Sequence, residues 1–332
     1  MLRGFRPWLL REARWRVGRS GFNTGMETGL RYLNCVVDAA CDGARVYDAL
    51  RCQLRVSDGC VRRAKHVAGG ILRNGEATWT NDRVQVGDVL AFAFDGPDFP
   101  GSSSDLAPDF TGISVVYADD DLLVLEKPAG IVMYPSPGHA ADSLANRVRG
   151  WLMAQGRTAG IQAVHRLDRD TSGLALFAFN SFAKERLQTQ LHGESFVREY
   201  DAFCEGWPEQ EEGVVEAPIG CIGVKPKRWG ITPEGKPATT HYRVVERGEA
   251  PDGAPLALLR LRLETGRTHQ IRIHMASLGH PLLGDAAYGT ASAWIGRPAL
   301  HSARVSFTHP VSGERCVFAS ALPEDMARLM PL

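Results

Sequence analysis

Residues Val164 to Phe177, VHRLDRDTSGLALF, place a histidine and four charged side chains directly ahead of an apolar run. Leu174, Leu176 and Phe177 with their neighbours read as a core strand. Thr171, Ser172 and Gly173 read as the polar turn that feeds it. A carboxylate beside an arginine at the mouth of such a strand is costly to keep dry unless it is paired. Any fold built on this run must therefore lock Asp168 into an ion pair or hold it open for chemistry. For an isolated Arg-Leu-Asp triplet the structural ion pair would be the better reading.

The 332 residues suffice for one large domain and a small one. Lys plus Arg and Asp plus Glu both total 38, so a chain coated in positive charge is excluded. Local clustering of cations, which is what nucleic-acid binding requires, is not excluded. The seven cysteines are odd in number, contain no Cys-x-x-Cys pair and match no zinc-finger spacing. Reduced thiols in a cytoplasmic protein are expected, and no apolar run is long enough to span a bilayer. The first 25 residues carry six arginines and one acid among Trp8, Leu9, Leu10 and Trp15. A disordered extension, or a true start near Met26, outweighs a targeting peptide or a basic RNA-contacting arm here.

Four stretches follow: an extension over 1–32, a small α/β unit over 33–94, a linker over 95–111 and a large domain over 112–332. In the small unit, Val46 to Leu54 has apolar residues at helical spacing. Cys60 to Val67 reads as a second helix carrying Arg62, Arg63 and Lys65. A hairpin turns at Asn74-Gly75, and Val84 to Leu90 closes the unit as a strand. The segment Asp95 to Thr111 is rich in Pro, Gly, Ser and Asp and has no periodicity. The large domain offers strand-like runs at Ile113 to Tyr117, Leu122 to Leu125, Leu174 to Ala178, Arg198 to Cys204, Thr239 to Val245, Leu256 to Leu263 and Ala303 to Phe307. Helical stretches fall at Leu144 to Met153 and Phe182 to His192. Strands dominate, so an α+β domain with a mostly antiparallel mixed sheet is expected.

Several runs in the large domain occur in a telling order. They are Glu126-Lys127-Pro128-Ala129-Gly130, then His165 to Phe177, then Arg198-Glu199-Tyr200, and then Thr265 to His274 with Gly284-Asp285-Ala286-Ala287-Tyr288-Gly289. Together they closely resemble the signature of the RluA family of RNA pseudouridine synthases. The small unit resembles the RNA-binding domain first described in ribosomal protein S-four. The resemblance implies a pseudouridine synthase catalytic domain behind an RNA-binding module on a flexible linker, with no cofactor. It implies that Asp168 is the catalytic carboxylate, Tyr200 the ring against the target base, and Arg272 the partner of Asp168, arriving from a distant strand. Arg166 would fill the gap left by an extruded nucleotide. Lys127, Arg267, His269, Arg62, Arg63 and Lys65 would contact RNA. Many relatives have a lysine where this chain has Phe179, which puts one RNA contact in doubt.

Uridine isomerisation needs a carboxylate, as nucleophile or as base for the ribose 2′ proton. RNA is the expected partner, large-subunit ribosomal RNA ahead of transfer RNA, and a monomer is expected. The main alternative is a non-catalytic RNA-binding ribosome-assembly factor on the same scaffold. It is demoted because Asp168, Tyr200 and Arg272 are all present. A nucleosidase that releases uracil is a third reading. Pairing Asp170 with Asp168 as hydrolytic carboxylates ranks lower, because such pairs usually come from separate segments. The histidines His269, His274, His280, His301 and His309 lack the His-Glu-x-x-His spacing of a metal site, and Arg267 and Arg272 would repel a cation.

Overall fold

Two turns of different origin organise the small unit. Asn74 and Gly75 both adopt positive φ, the conformation a two-residue hairpin requires. They join β2 (Ile71–Arg73) to β3 (Glu76–Ala77). Asp88 makes the other turn by accepting from the Gln85 N–H and the Asn74 amide. That turn occupies most of the expected last strand, so β4 starts only at Val89 and runs to Asp95. An unforeseen β1 (Arg31–Val36) pairs with β4, giving the sheet order β1-β4-β2-β3. Helices α1 (Val46–Gln53) and α2 (Asp58–Ala64) lie against it. This computed structural model describes residues 29–97, 99, 105–193, 195–224 and 227–330. The reading of residues 1–28 lies outside the described residues.

The expected boundaries shift in two places. Residues 31 and 32 belong to β1 rather than to an extension. Part of the 95–111 stretch is packed rather than free: Asn146 donates to the Ala107 carbonyl at 2.7 Å, and the Asp109 N–H to Asn146 at 3.0 Å.

The large domain is built from β5 (Ser114–Ala118), β6 (Leu122–Lys127), α3 (Leu144–Ala154), β7 (Gln162–Ala163), β8 (Ser172–Ala178), α4 (Ser181–Leu191) and β9 (Val197–Glu205). It continues through β10 (Glu212–Glu216), β11 (Ile219–Val224), β12 (Lys227–Ile231), β13 (Thr239–Glu249), β14 (Pro255–Leu263) and α5 (Gln270–Ser277). The last elements are β15 (Leu300–Thr308), β16 (Arg315–Ala319) and α6 (Glu324–Ala327). One sheet runs β10-β13-β14-β9-β15-β8-β6-β5, with β16 on β15 and β7 on β8. Among the described strands only β8 and β15 pair in parallel, so the sheet is mixed and mostly antiparallel as expected. Strand alternation gives it two apolar faces. Leu123, Leu125, Ala175, Phe177 and Tyr200 line one, and Leu122, Val124, Leu174, Leu176 and Phe307 the other. Phe179, the departure noted above, is buried on the first face and stacks on Trp151.

Helix α4 lies between the two units. Phe182 sits in the core of the small unit, its ring 5.0 Å from that of Phe94. The Arg186 guanidinium lies 4.6 Å above Phe182 and donates to the carbonyls of Leu54 and Pro310. Glu185 accepts from Ser57, Cys60 and Arg63. Arg31 adds two 2.8 Å bonds to Asp121, which precedes β6. The small unit is thus docked on the large domain, whereas the sequence suggested a module on a loose tether. Composition marks a stretch as a linker but does not reveal an apolar face that two units share.

Candidate active site

Backbone contacts fix the loop between β7 and β8. Lys127 is 1 % exposed, and its ammonium donates to the carbonyls of Pro128, Arg169 and Thr171 at 3.0, 2.7 and 2.8 Å. Gly130 N–H adds a bond to Arg169, and Arg297 holds the Asp170 carbonyl. Burial pulls the Lys127 pKa down to about 7, while three carbonyl acceptors call for all three ammonium hydrogens. Lys127 is therefore a clamp under the loop and not the RNA contact expected from sequence. Gly173 closes the loop at φ 103, where a Cβ would stand 2.4 Å from the Ser302 carbonyl oxygen. No other residue fits the close parallel pairing of β8 and β15 there.

The clamped loop presents Asp168, whose side chain is 30 % exposed, to Arg272 of α5, with Nη1 to Oδ2 at 3.8 Å. The two residues that the resemblance pairs thus lie together, but Arg272 comes from a helix rather than a strand. His269 takes a left-handed conformation at φ 56 and starts that helix with no side-chain cap. Asp285, fully buried, grips Arg272 through Nε and Nη2 at 2.6 and 2.7 Å. This bidentate fork leaves the Nη1 side toward Asp168. Two carboxylates therefore share one guanidinium. Tyr288 completes the group: its ring lies 5.1 Å from the Arg272 guanidinium, and its hydroxyl bonds His269 Nδ1 at 2.9 Å. Neither Asp285 nor Tyr288 was given a role from sequence, although the Gly-Asp-Ala-Ala-Tyr-Gly run that carries them was noted.

Tyr200 lies on β9 at 4 % exposure. Burial raises its pKa, the Arg198 charge opposes that rise and the Asp168 charge adds to it, so its hydroxyl is held protonated near both groups. Arg166 is exposed, and Arg267 donates to the Pro237 carbonyl at 3.0 Å. On α2, Arg62 pairs with Asp58 and Arg63 is committed to Glu185 of α4, while Lys65 is exposed. Asp170 is bonded by its own neighbour Arg169, which fits a turn residue.

Several of the histidines serve the framework. His274 bonds Thr240 and the Ala217 carbonyl, His280 the Glu205 carbonyl, and His301 both Ser172 and Ser320. Asp119, Asp121 and His309 lie close enough to suggest a metal site. Their atoms are already used: Asp119 by Tyr117, His309 and two backbone N–H groups, and Asp121 by Arg31 and Asn180.

Burial lowers the pKa of His165 to about 3 with help from Arg198, and that of His301 to about 4. Both stay neutral in the fold, whereas the unfolded chain protonates them near pH 6.5. The unfolded state thus binds more protons as pH falls through 6.5. Stability is complete above that pH and declines toward pH 4, by up to about 1.4 kcal/mol per pH unit for each group. Urea midpoints at pH 7 and pH 5 should differ accordingly. Equal midpoints would mean that the folded protein protonates these rings.

The family model described as RNA pseudouridylate synthase matches residues 121–277, a span that includes Asp168, Tyr200 and Arg272. The uncharacterized RNA pseudouridine synthase YhcT of Bacillus subtilis is 34 % identical over 300 residues, covering 90 % of this chain and 96 % of that one. Ribosomal large subunit pseudouridine synthase D of Nitrosomonas europaea is 42 % identical over 229 residues, 66 % of this chain and 64 % of that protein. The structure of human RNA pseudouridylate synthase domain containing 1 overlays with a TM-score of 0.52 at 24 % identity, covering 64 % of this chain and 84 % of that one. At that identity the overlay speaks for the fold alone.

Proposed function

The chain belongs to the RNA pseudouridine synthases, isomerases of uridine in RNA, and from that premise we propose that Asp168 is its catalytic carboxylate. The observation that carries the reading is the partly open Asp168 on a clamped loop, 3.8 Å from an arginine already fixed by Asp285. A carboxylate so placed is aimed and reachable. It acts on the ribose or base as a nucleophile, or takes the 2′ proton. The bond from C1′ to N1 breaks, the base turns, C1′ bonds to C5, and the C5 hydrogen leaves as a proton while N1 gains one.

Arg272 orients Asp168, and Tyr200 packs against the base. Arg166, exposed beside Asp168, fills the space the nucleotide vacates or holds a phosphate. We assign RNA contacts to His269 and Arg267 as well. We assign the chain to the RluA type, with residues 31–95 as an S-four-like RNA-binding unit, on its two helices over a small sheet. Large-subunit ribosomal RNA is the proposed substrate, supported by the likeness to synthase D. Seven free cysteines favour a reducing cytoplasm.

Tritium release from RNA labelled at uridine C5 tests the reading. Release is expected from the ribosomal pool and little from the transfer RNA pool. Release of free uracil would instead indicate a hydrolase, and release from transfer RNA alone would overturn the substrate.

A further inference from the structure

Trp79, in the loop after β3, is 80 % exposed, and no other large apolar side chain among the described residues is more so. Its loop is firmly built. Asp82 accepts from the Trp79 N–H and the Thr78 hydroxyl at 2.9 Å each. The Tyr47 and Val46 N–H groups bond the carbonyls of Thr80 and Asp82 at 3.0 and 2.9 Å. The indole is thus held out into solvent by a fixed loop beside the start of α1.

Its neighbours are aromatic and cationic. Tyr47 has the guanidinium of Arg45 5.7 Å from its ring centre and that of Arg51 5.5 Å away. The Arg45 hydrogen bond, with the charges of Arg51 and Arg83, holds the Asp48 carboxyl below the usual range. Tyr47 and Arg62 do the same for Asp58. Four guanidinium groups therefore gather around two carboxylates. Arg51 donates to the Tyr47 hydroxyl and Arg83 to the Gly43 carbonyl, and neither pairs with a carboxylate within salt-bridge distance among the described residues.

We propose that Trp79, with Tyr47, Arg45, Arg51 and Arg83, forms a stacking site for an unpaired RNA segment, apart from the site at Asp168. The proposal rests on the reading of this chain as an enzyme that acts on RNA. An exposed indole accepts the face of any base, and arginines beside it meet the phosphates. Duplex RNA keeps its base faces stacked inside and offers nothing to the ring. A protein partner with an apolar surface would have to bury these charged groups, so the surroundings favour RNA.

The test uses the full chain, an unstructured 12-nucleotide RNA and the same strand annealed to its complement. Trp79→Ala should weaken single-strand binding about tenfold and duplex binding less than about twofold. Trp79→Phe should restore most of the loss. Arg51→Gln with Arg83→Gln should flatten the salt dependence on the single strand. Phe110→Ala, which removes an exposed ring elsewhere, serves as the control. Equal losses on both RNAs, full affinity after Trp79→Ala, or an equal loss from the control would each overturn the site. None of these results bears on tritium release by the unaltered chain, so the two readings fail separately.

Discussion

Replacing Asp168 with asparagine should cut tritium release by about 10⁴-fold or more, while RNA affinity stays within about twofold. The amide has nearly the same shape, so what is lost is the charge. The fold should not suffer, because Arg272 keeps its two bonds to Asp285 and is not left as an unpaired buried cation. Equilibrium binding and urea unfolding, measured beside activity, separate the possibilities. If affinity, stability and activity all fall together, Asp168 belongs to the framework.

Arg272→Met should have a different signature. It leaves the fully buried Asp285 carboxylate without its partner, at a cost of about 3–5 kcal/mol in stability. Activity should fall by at least about 10²-fold, since Asp168 loses its orienting charge. Arg272→Lys keeps the charge but not the fork that grips Asp285 while facing Asp168. It should therefore recover stability better than activity. Adding Asp285→Asn to Arg272→Met should restore much of the stability and none of the activity. A single Arg272→Met variant as stable as the parent chain would show that Asp285 is not held as described.

In the large domain β5, β6, β8, β9, β13, β14 and β15 were legible because strands buried between two apolar faces read as short apolar runs, whereas β7, β10, β11, β12 and β16 were not read. Asp168 and Arg272 were legible only through resemblance, since nothing in spacing alone relates residues a hundred positions apart. The helix α5 was hidden for a specific reason. Gln270-Ile271-Arg272-Ile273-His274 alternates polar and apolar residues as a strand does. It folds as a helix buried on all sides because each polar group finds a partner: Gln270 on Thr239 and Thr240, Arg272 on Asp285, and His274 on Thr240 and Ala217. Lys127 misled in the opposite direction. A lysine next to a Pro-Ala-Gly turn reads as a surface cation, and only the approach of three carbonyls shows that it is enclosed. The strand β1 was missed because RYLNCV is uneven in polarity, and its pairing with β4 spans the whole small unit.

Helix α4 answers to two masters. Phe182 faces the small unit, while Ala183 and Leu187 face the far side of the large sheet. Glu185 and Arg186 spend their charges on Ser57, Cys60, Arg63 and the Leu54 carbonyl. The helix thus works as a shared axle, and its eleven residues, with the Arg31–Asp121 pair, set the bearing of one sheet on the other. A change at Phe182 would be felt on both sides at once, as slack in a joint rather than as a hole in one core.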